Sequence, residues 1–135
     1  MTKTDPTARW AKHRMFCRLK ARELAIMRVL WDAGTGRTIR QVFEELYSRG
    51  PWSYNTVKTT VGKLARRNAL KHHRSRSGNV YVPTADREAV AAACVQQIIS
   101  EIVGGSLEDG VLSVLGQLPL SAAELRTIRE SLHGC

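Results

Sequence analysis

Apolar residues recur along this chain first at a helical period, then briefly at a strand period, then at a helical period again. Leu24, Met27, Leu30 and Trp31 predict a helix over about residues 21–33, and Gly34 stops it in the left-handed conformation glycine favours. Thr35-Gly36-Arg37 reads as a turn. Thr38 then caps a second helix, with Gln41 completing a capping box and Ile39, Val42, Phe43, Leu46 and Tyr47 forming its apolar stripe. Gly50-Pro51 ends that element, because proline cannot continue a helix and disfavours helical geometry before it. Ser53 caps a third helix that ends near Arg67 or Asn68 and carries Tyr54, Val57, Val61 and Leu64 along one side. Two extended runs follow, Leu70–Arg74 and Val80–Pro83, around a Gly78-Asn79 turn, and predict a β-hairpin.

Beyond Asp86 the pattern is helical and strongly aliphatic. A fourth helix is expected over residues 86–103, ended by Gly104-Gly105, and a fifth over residues 107–118, ended by Pro119. A capping box of Ser121 and Glu124 starts a sixth, with Leu125, Ile128 and Leu132 on one face. Three helices cannot bury this much aliphatic surface among themselves. Covering one Leu- or Ile-sized side chain is worth about 1.5–3 kcal/mol, so pairing with an identical copy is expected. Val95, Ile98, Ile99, Ile102, Leu112 and Leu115 are the expected dimer contacts.

The polar side of the third helix carries the candidate chemistry. Asn55, Thr56, Thr59, Lys63 and Arg66 lie opposite its apolar stripe, with no carboxylate among them. Amides and hydroxyls suit base edges, and cations suit phosphates, so this face fits a DNA major groove. Asn55, Thr56 and Thr59 are assigned to base edges, and Lys58, Lys63 and Arg66 to phosphates. Ser53 presents the helix N-terminus to a phosphate. Trp52 either wedges beside the sugar-phosphate backbone or packs into the turn. Arg74 and Arg76 in the hairpin are assigned to phosphate or minor-groove contacts.

Charge sharpens this reading. Residues 1–80 hold 18 Lys and Arg against five Asp and Glu, whereas residues 81–135 hold three against seven, within a net charge of +9. A basic half that meets a polyanion and an acidic half with another task are implied. The first 18 residues, with Arg9, Lys12, Arg14 and Arg18 around Trp10 and Phe16, suit a basic arm along DNA or a frayed terminus. No run of about eighteen apolar residues occurs, and no apolar run follows the amino-terminal cations. A cytoplasmic protein without direct membrane insertion is therefore expected.

Catalysis has no visible constellation. HExxH, a Walker loop and a nucleophile elbow are absent, and His72 and His73 point to opposite sides of a strand. The three cysteines, Cys17, Cys94 and Cys135, form no CxxC motif, so neither a disulfide framework nor a metal site is expected. Cys94 reads as a small buried hydrophobe. No cofactor is expected.

The runs Leu19-x3-Glu23-Leu24-x2-Met27-x2-Leu30-Trp31, Thr38-x2-Gln41-Val42 and Trp52-Ser53-Tyr54-x-Thr56-Val57-Lys58-Thr59 resemble the penicillinase-repressor family of BlaI and MecI type. Gly104-Gly105-Ser106 and Leu120-Ser121-x2-Glu124-Leu125 resemble its carboxy-terminal part, so the similarity covers about residues 19–133. The resemblance implies a mainly α protein: a winged helix-turn-helix of three helices plus a β-hairpin wing, then a helical dimerisation region. The boundaries are a basic extension at 1–18, a winged-helix domain at 19–84 and a dimerisation domain at 85–135. It further implies a homodimeric repressor on a palindromic operator in double-stranded DNA. In the better-known members a membrane sensor metalloprotease signals, and the repressor is cut at an Asn-Phe bond. The matching position here is Gln97-Ile98, a departure from that pattern. Lys20 replaces the usual Ser or Thr cap, and Gly62 replaces a longer polar residue. The cysteine-rich tail of the copper-responsive branch is missing, so copper sensing is not implied. A regulator responsive to a small ligand, or a winged helix that binds proteins without specific DNA binding, are the alternatives.

Overall fold

The computed structural model describes residues 13–133. Two compact units divide the chain between Cys94 and Val95. In the first, a 3-10 turn at Arg14–Arg18 leads to α1 (Ala21–Ala33), α2 (Ile39–Tyr47), α3 (Tyr54–Arg66), β1 (Leu70–Ser75) and β2 (Gly78–Pro83). Helix α4 (Arg87–Ile98) begins in this unit and runs into the second.

Local capping chemistry sets the helix starts. Thr38 Oγ1 accepts from the Gln41 N–H at 3.2 Å, and Gln41 Oε1 accepts from the Thr38 N–H at 2.9 Å. Ser53 Oγ accepts from the Thr56 N–H at 3.1 Å. Lys20 has no acceptor to offer, yet α1 still begins at Ala21 because the Glu23 carboxylate accepts from the Lys20 N–H at 2.9 Å. Gly34 ends α1 with φ at 73°. Helix α2 stops at Tyr47, before Gly50-Pro51, where Ser48 Oγ donates to the Glu45 carbonyl and the Arg49 N–H to that of Leu46.

The core joins Ile26, Met27 and Leu30 of α1 to Val42 and Leu46 of α2, and to Val57, Val61 and Leu64 of α3. Phe16 from the 3-10 turn and Leu70 from β1 complete it. Leu24, expected inside, is exposed, and Ile26 occupies the buried stripe instead. One acidic side chain is also inside: Glu23 is 7% exposed and accepts from Arg67 Nη1 at 3.3 Å.

The hairpin is antiparallel, with register running from Leu70 opposite Pro83 to Ser75 opposite Gly78. Its turn lies at Arg76-Ser77, ahead of the expected Gly78-Asn79. Ser75 explains the shift: its hydroxyl donates to the Gly78 carbonyl at 2.9 Å and accepts from the Ser77 N–H at 3.2 Å, while Gly78 takes φ of 110°. The segment expected as a plain turn before α2 also pairs with the hairpin. Arg37 and Tyr81 exchange backbone hydrogen bonds of 3.1 and 2.8 Å. Gly36 permits this approach, because a Cβ there would lie 2.1 Å from Val80 Cγ1.

After the hairpin, Trp31 Nε1 donates to the Ala85 carbonyl at 3.0 Å, and Arg87 pairs with Asp32. The hydrogen bond from Arg87 is the main reason the Asp32 carboxyl sits below its usual range. Val90 and Ala93 of α4 are buried. Cys94, expected as a thiol in an apolar face, is instead disulfide-bonded to Cys17, with Cα atoms 5.2 Å apart. Folding brings together two cysteines 77 positions apart in sequence, which spacing could not reveal.

The second unit continues α4 into a π-helical turn at Ile99–Val103, followed by α5 (Leu107–Gln117) and α6 (Ala122–His133). The α-helix expected through Val103 thus loosens at Ile99, and the Gly104 N–H closes onto the Ile99 carbonyl at 2.9 Å. Ser106 caps α5, and Ser121 and Glu124 form the expected capping box at α6. Ile99 was expected at a dimer surface, but it is 3% exposed. It packs against Gly110, where a Cβ would lie 2.2 Å from Ile99 Cγ2. Among the described residues of 95–133 only Ile99 and Gly110 are buried. No single helix among the described residues is long and apolar enough to cross a membrane.

Candidate nucleic-acid interface

Helix α3 owes its orientation to packing. Val57, Thr60, Val61 and Leu64 are buried, so the opposite face is turned outward. Thr60 tolerates burial because its hydroxyl donates to the Thr56 carbonyl at 2.7 Å. Asn55, Lys58, Thr59, Lys63 and Arg66 are all exposed. From Asn55 to Arg66 the helix rises about 16 Å, the depth of about five stacked base pairs.

The two residues that open α3 are partly occupied. Ser53 Oγ takes the Thr56 N–H and donates to Thr56 Oγ1 at 2.8 Å. Thr56 is half-buried. Trp52 is half-buried and packed against the core, so its ring braces the turn before α3. Tyr54 meets Phe43 edge-on at 5.7 Å, with the Arg40 guanidinium 5.5 Å from its ring centroid.

Charge suits this face to an anion. Arg40 pairs with Glu44, Arg49 with Glu45, Arg67 with Glu23 and Arg87 with Asp32. Among the described residues, Lys58, Lys63, Arg66, Arg74 and Arg76 have no carboxylate within ion-pair distance. Uncompensated cations on one face are what a polyanion requires. Arg74 is exposed on β1 opposite Asn79, and Arg76 is exposed in the turn.

Two open clefts flank α3, neither of which local pattern could show. One, of about 330 Å3, is lined by Lys20, Arg22, Glu23, Thr60 and Lys63, which adds two cations from the start of α1. The other, of about 480 Å3, lies between α2, the start of α3 and the hairpin tip. Arg40, Gln41, Tyr54, Ser77 and Asn79 are among its lining residues. Only tertiary packing places these side chains beside α3, since they lie in separate elements. Val95, Ile98, Ile102 and Leu112 of the second unit are exposed, and Leu115 is half-buried. Gln97 Nε2 donates to Glu101 Oε2 at 3.2 Å. The amino-terminal arm through Lys12, and Cys135, lie outside the described residues.

The family model described as penicillinase repressor matches residues 19–134. The penicillinase repressor of Bacillus licheniformis is 28% identical over 111 residues, spanning 82% of this chain and 86% of that one. Transcriptional regulator BlaI of Mycobacterium tuberculosis is 31% identical over 84 residues, 62% of this chain and 61% of that one. The solved DNA-binding domain of the repressor BlaI is similar at 29% identity, over 53% of this chain and 87% of that one, with a TM-score of 0.48. With its family model matched over nearly its whole length, the chain belongs to the penicillinase-repressor family, DNA-binding winged-helix transcriptional repressors rather than enzymes.

Proposed function

We propose that this repressor acts in the cytoplasm as a homodimer on a palindromic operator, setting one copy of α3 into each of two major-groove half-sites. The observation that carries it is the outward face of α3: amide and hydroxyl groups among uncompensated cations, without a carboxylate. Asn55 suits adenine through a bidentate amide, and the Thr59 methyl suits thymine. Lys58, Lys63 and Arg66 neutralise phosphates, joined by Arg74 and Arg76 from the hairpin. Ser53 directs the N-terminus of α3 at the backbone, where its free N–H groups favour an anion.

The residues from 19 to 84 read DNA, residues 85–94 complete the same compact unit, and those from 95 onward hold the copies together. Ile102, 78% exposed, and Leu112, 61% exposed, support this second role, with Val95 and Ile98 beside them. Isolated copies would leave these side chains wet, whereas a symmetric pair covers both sets at once. Induction by proteolysis at Gln97-Ile98, signalled by a membrane sensor metalloprotease, would separate the reading unit from the pairing unit. A protease reaches that bond only after the helix locally opens, which the π-helical turn one residue later favours.

Footprinting on the DNA upstream of the repressor's own coding region tests the reading. Two protected half-sites about one helical turn apart are expected. Protection without symmetry, or none at low salt, would overturn it.

A further inference from the structure

The winged-helix unit is closed covalently by Cys17 and Cys94, and nothing in the repressor reading uses that bond. Cys17 lies in the 3-10 turn Arg14–Arg18, and Cys94 is the last residue of the first compact unit. A protein that acts on DNA in the cytoplasm works where glutathione and thioredoxin keep thiols reduced, and disulfides there are usually transient and redox-sensing. We propose that Cys17 and Cys94 are a peroxide-responsive thiol pair whose oxidation clamps the segment before α1 and tightens DNA binding. This rests on the DNA-binding reading above.

The chemistry balances with a hydroperoxide as oxidant. The Cys17 thiolate attacks the peroxide O–O bond, giving a sulfenic acid and, from hydrogen peroxide, one water after protonation. The Cys94 thiolate then attacks the Cys17 sulfur, forming the S–S bond and expelling the hydroxyl as a second water once protonated. Two thiols lose two electrons, and one peroxide gains them. Cys17 is suited to the first step: it is half-buried rather than sealed, and lies between Arg14 and Arg18 in a turn without an acidic residue. Reduction by a small dithiol reverses the bond.

The consequence follows from what the turn carries. Phe16, one residue from Cys17, sits in the core with its ring 6.2 Å from that of Trp31, so the clamped turn is already in its packed position. Three residues beyond Cys17, Lys20 shares a basic cleft with Arg22 and Lys63. Tying Cys17 to α4 restricts the exposed Arg14 and Arg18, together with the approach to Lys20, before DNA arrives. Less ordering then remains to be done on binding. Closing a loop of 77 residues also restricts the unfolded chain.

The test uses the full chain carrying Cys135→Ser, so that only the pair can react. Stoichiometric hydrogen peroxide should protect two thiols from alkylation without forming dimers on a non-reducing gel, and dithiothreitol should restore both. The oxidised protein should melt about 10 °C or more above the reduced protein. It should also bind operator DNA about 3–10-fold more tightly at equal salt. Under peroxide, Cys17→Ser and Cys94→Ser should each keep the melting temperature and operator affinity of the reduced chain, although Cys17 of the Cys94→Ser protein still forms a sulfenic acid, and reversal of the unsubstituted pair with dithiothreitol covers either variant misfolding. Thiols that remain alkylatable after peroxide, or a disulfide that leaves operator affinity unchanged, would overturn the proposal. If neither redox state binds DNA, the repressor reading fails and this proposal's affinity claim fails with it. Thiol protection and the melting shift would then show that failure to lie in the DNA reading rather than in the pair's chemistry.

Discussion

On α3, neighbouring side chains are assigned different work, and the difference is measurable. In its proposed role Lys63 neutralises a phosphate whatever the sequence, so Lys63→Ala should weaken operator and random DNA alike and reduce the salt slope by about one. Asn55 is proposed for a base edge, so Asn55→Ala should cost about 1–3 kcal/mol on operator and little on random DNA. Titrations on both duplexes at two salt concentrations separate the pair. Glu23 is a different kind of residue. It is buried beneath Arg67 and also satisfies the Lys20 N–H, so Glu23→Ala removes both bonds at once. Arg67 is partly solvated, which screens the ion pair. A loss of about 1–3 kcal/mol in urea unfolding is expected. The cap at Lys20 was legible as a departure, but its remedy was only half legible. Glu23 stands three residues on as a capping box requires, whereas Arg67 arrives from 44 positions away.

Among the elements, boundaries written in local chemistry were readable and those set by distant partners were not. Thr38 with Gln41, Ser53 with Thr56, and Ser121 with Glu124 each form the cap their spacing predicts. The hairpin turn moved because Ser75 hydrogen-bonds across Arg76-Ser77, a competition that residue type alone did not resolve. Leu24 and Ile26 exchanged places because a helical stripe can be drawn along either line, and only the packing partners select one. The bridge from Arg37 to Tyr81 makes Gly36 a steric requirement for placing the wing. Gly36→Ala should displace β2, destabilise the unit by about 1–3 kcal/mol and weaken DNA binding through Arg74 and Arg76. Denaturant unfolding beside a binding titration checks it. Full stability with unchanged binding would show that Val80 yields at no cost.

At the scale of the whole molecule, the first unit has an aliphatic core and the second has almost none among its described residues. That contrast, rather than any single contact, is the physical argument for a pair. Ile102→Asp places a charge at a position already open to solvent in one copy, so the single chain should fold normally by circular dichroism. Sedimentation at micromolar concentration should then return monomers, and operator affinity should fall about tenfold or more as the second half-site is lost. A dimer that persists would place the interface elsewhere. Gly110→Ala strikes the second unit from within, by pushing on Ile99. It should lower the unit's stability by about 1–3 kcal/mol, read by hydrogen exchange along α5.

Local pattern was enough for the helical succession, the carboxylate-free basic face of α3 and the family, because capping boxes, apolar periods and charge are properties of neighbouring residues. Only folding reveals that Ile99 is consumed internally, that Gly36 must be small, that Lys20 and Arg22 stand beside Lys63, and that Cys17 meets Cys94. Each of these depends on segments far apart in the chain coming within a few ångströms. Such meetings follow from how whole elements pack, which no local pattern encodes.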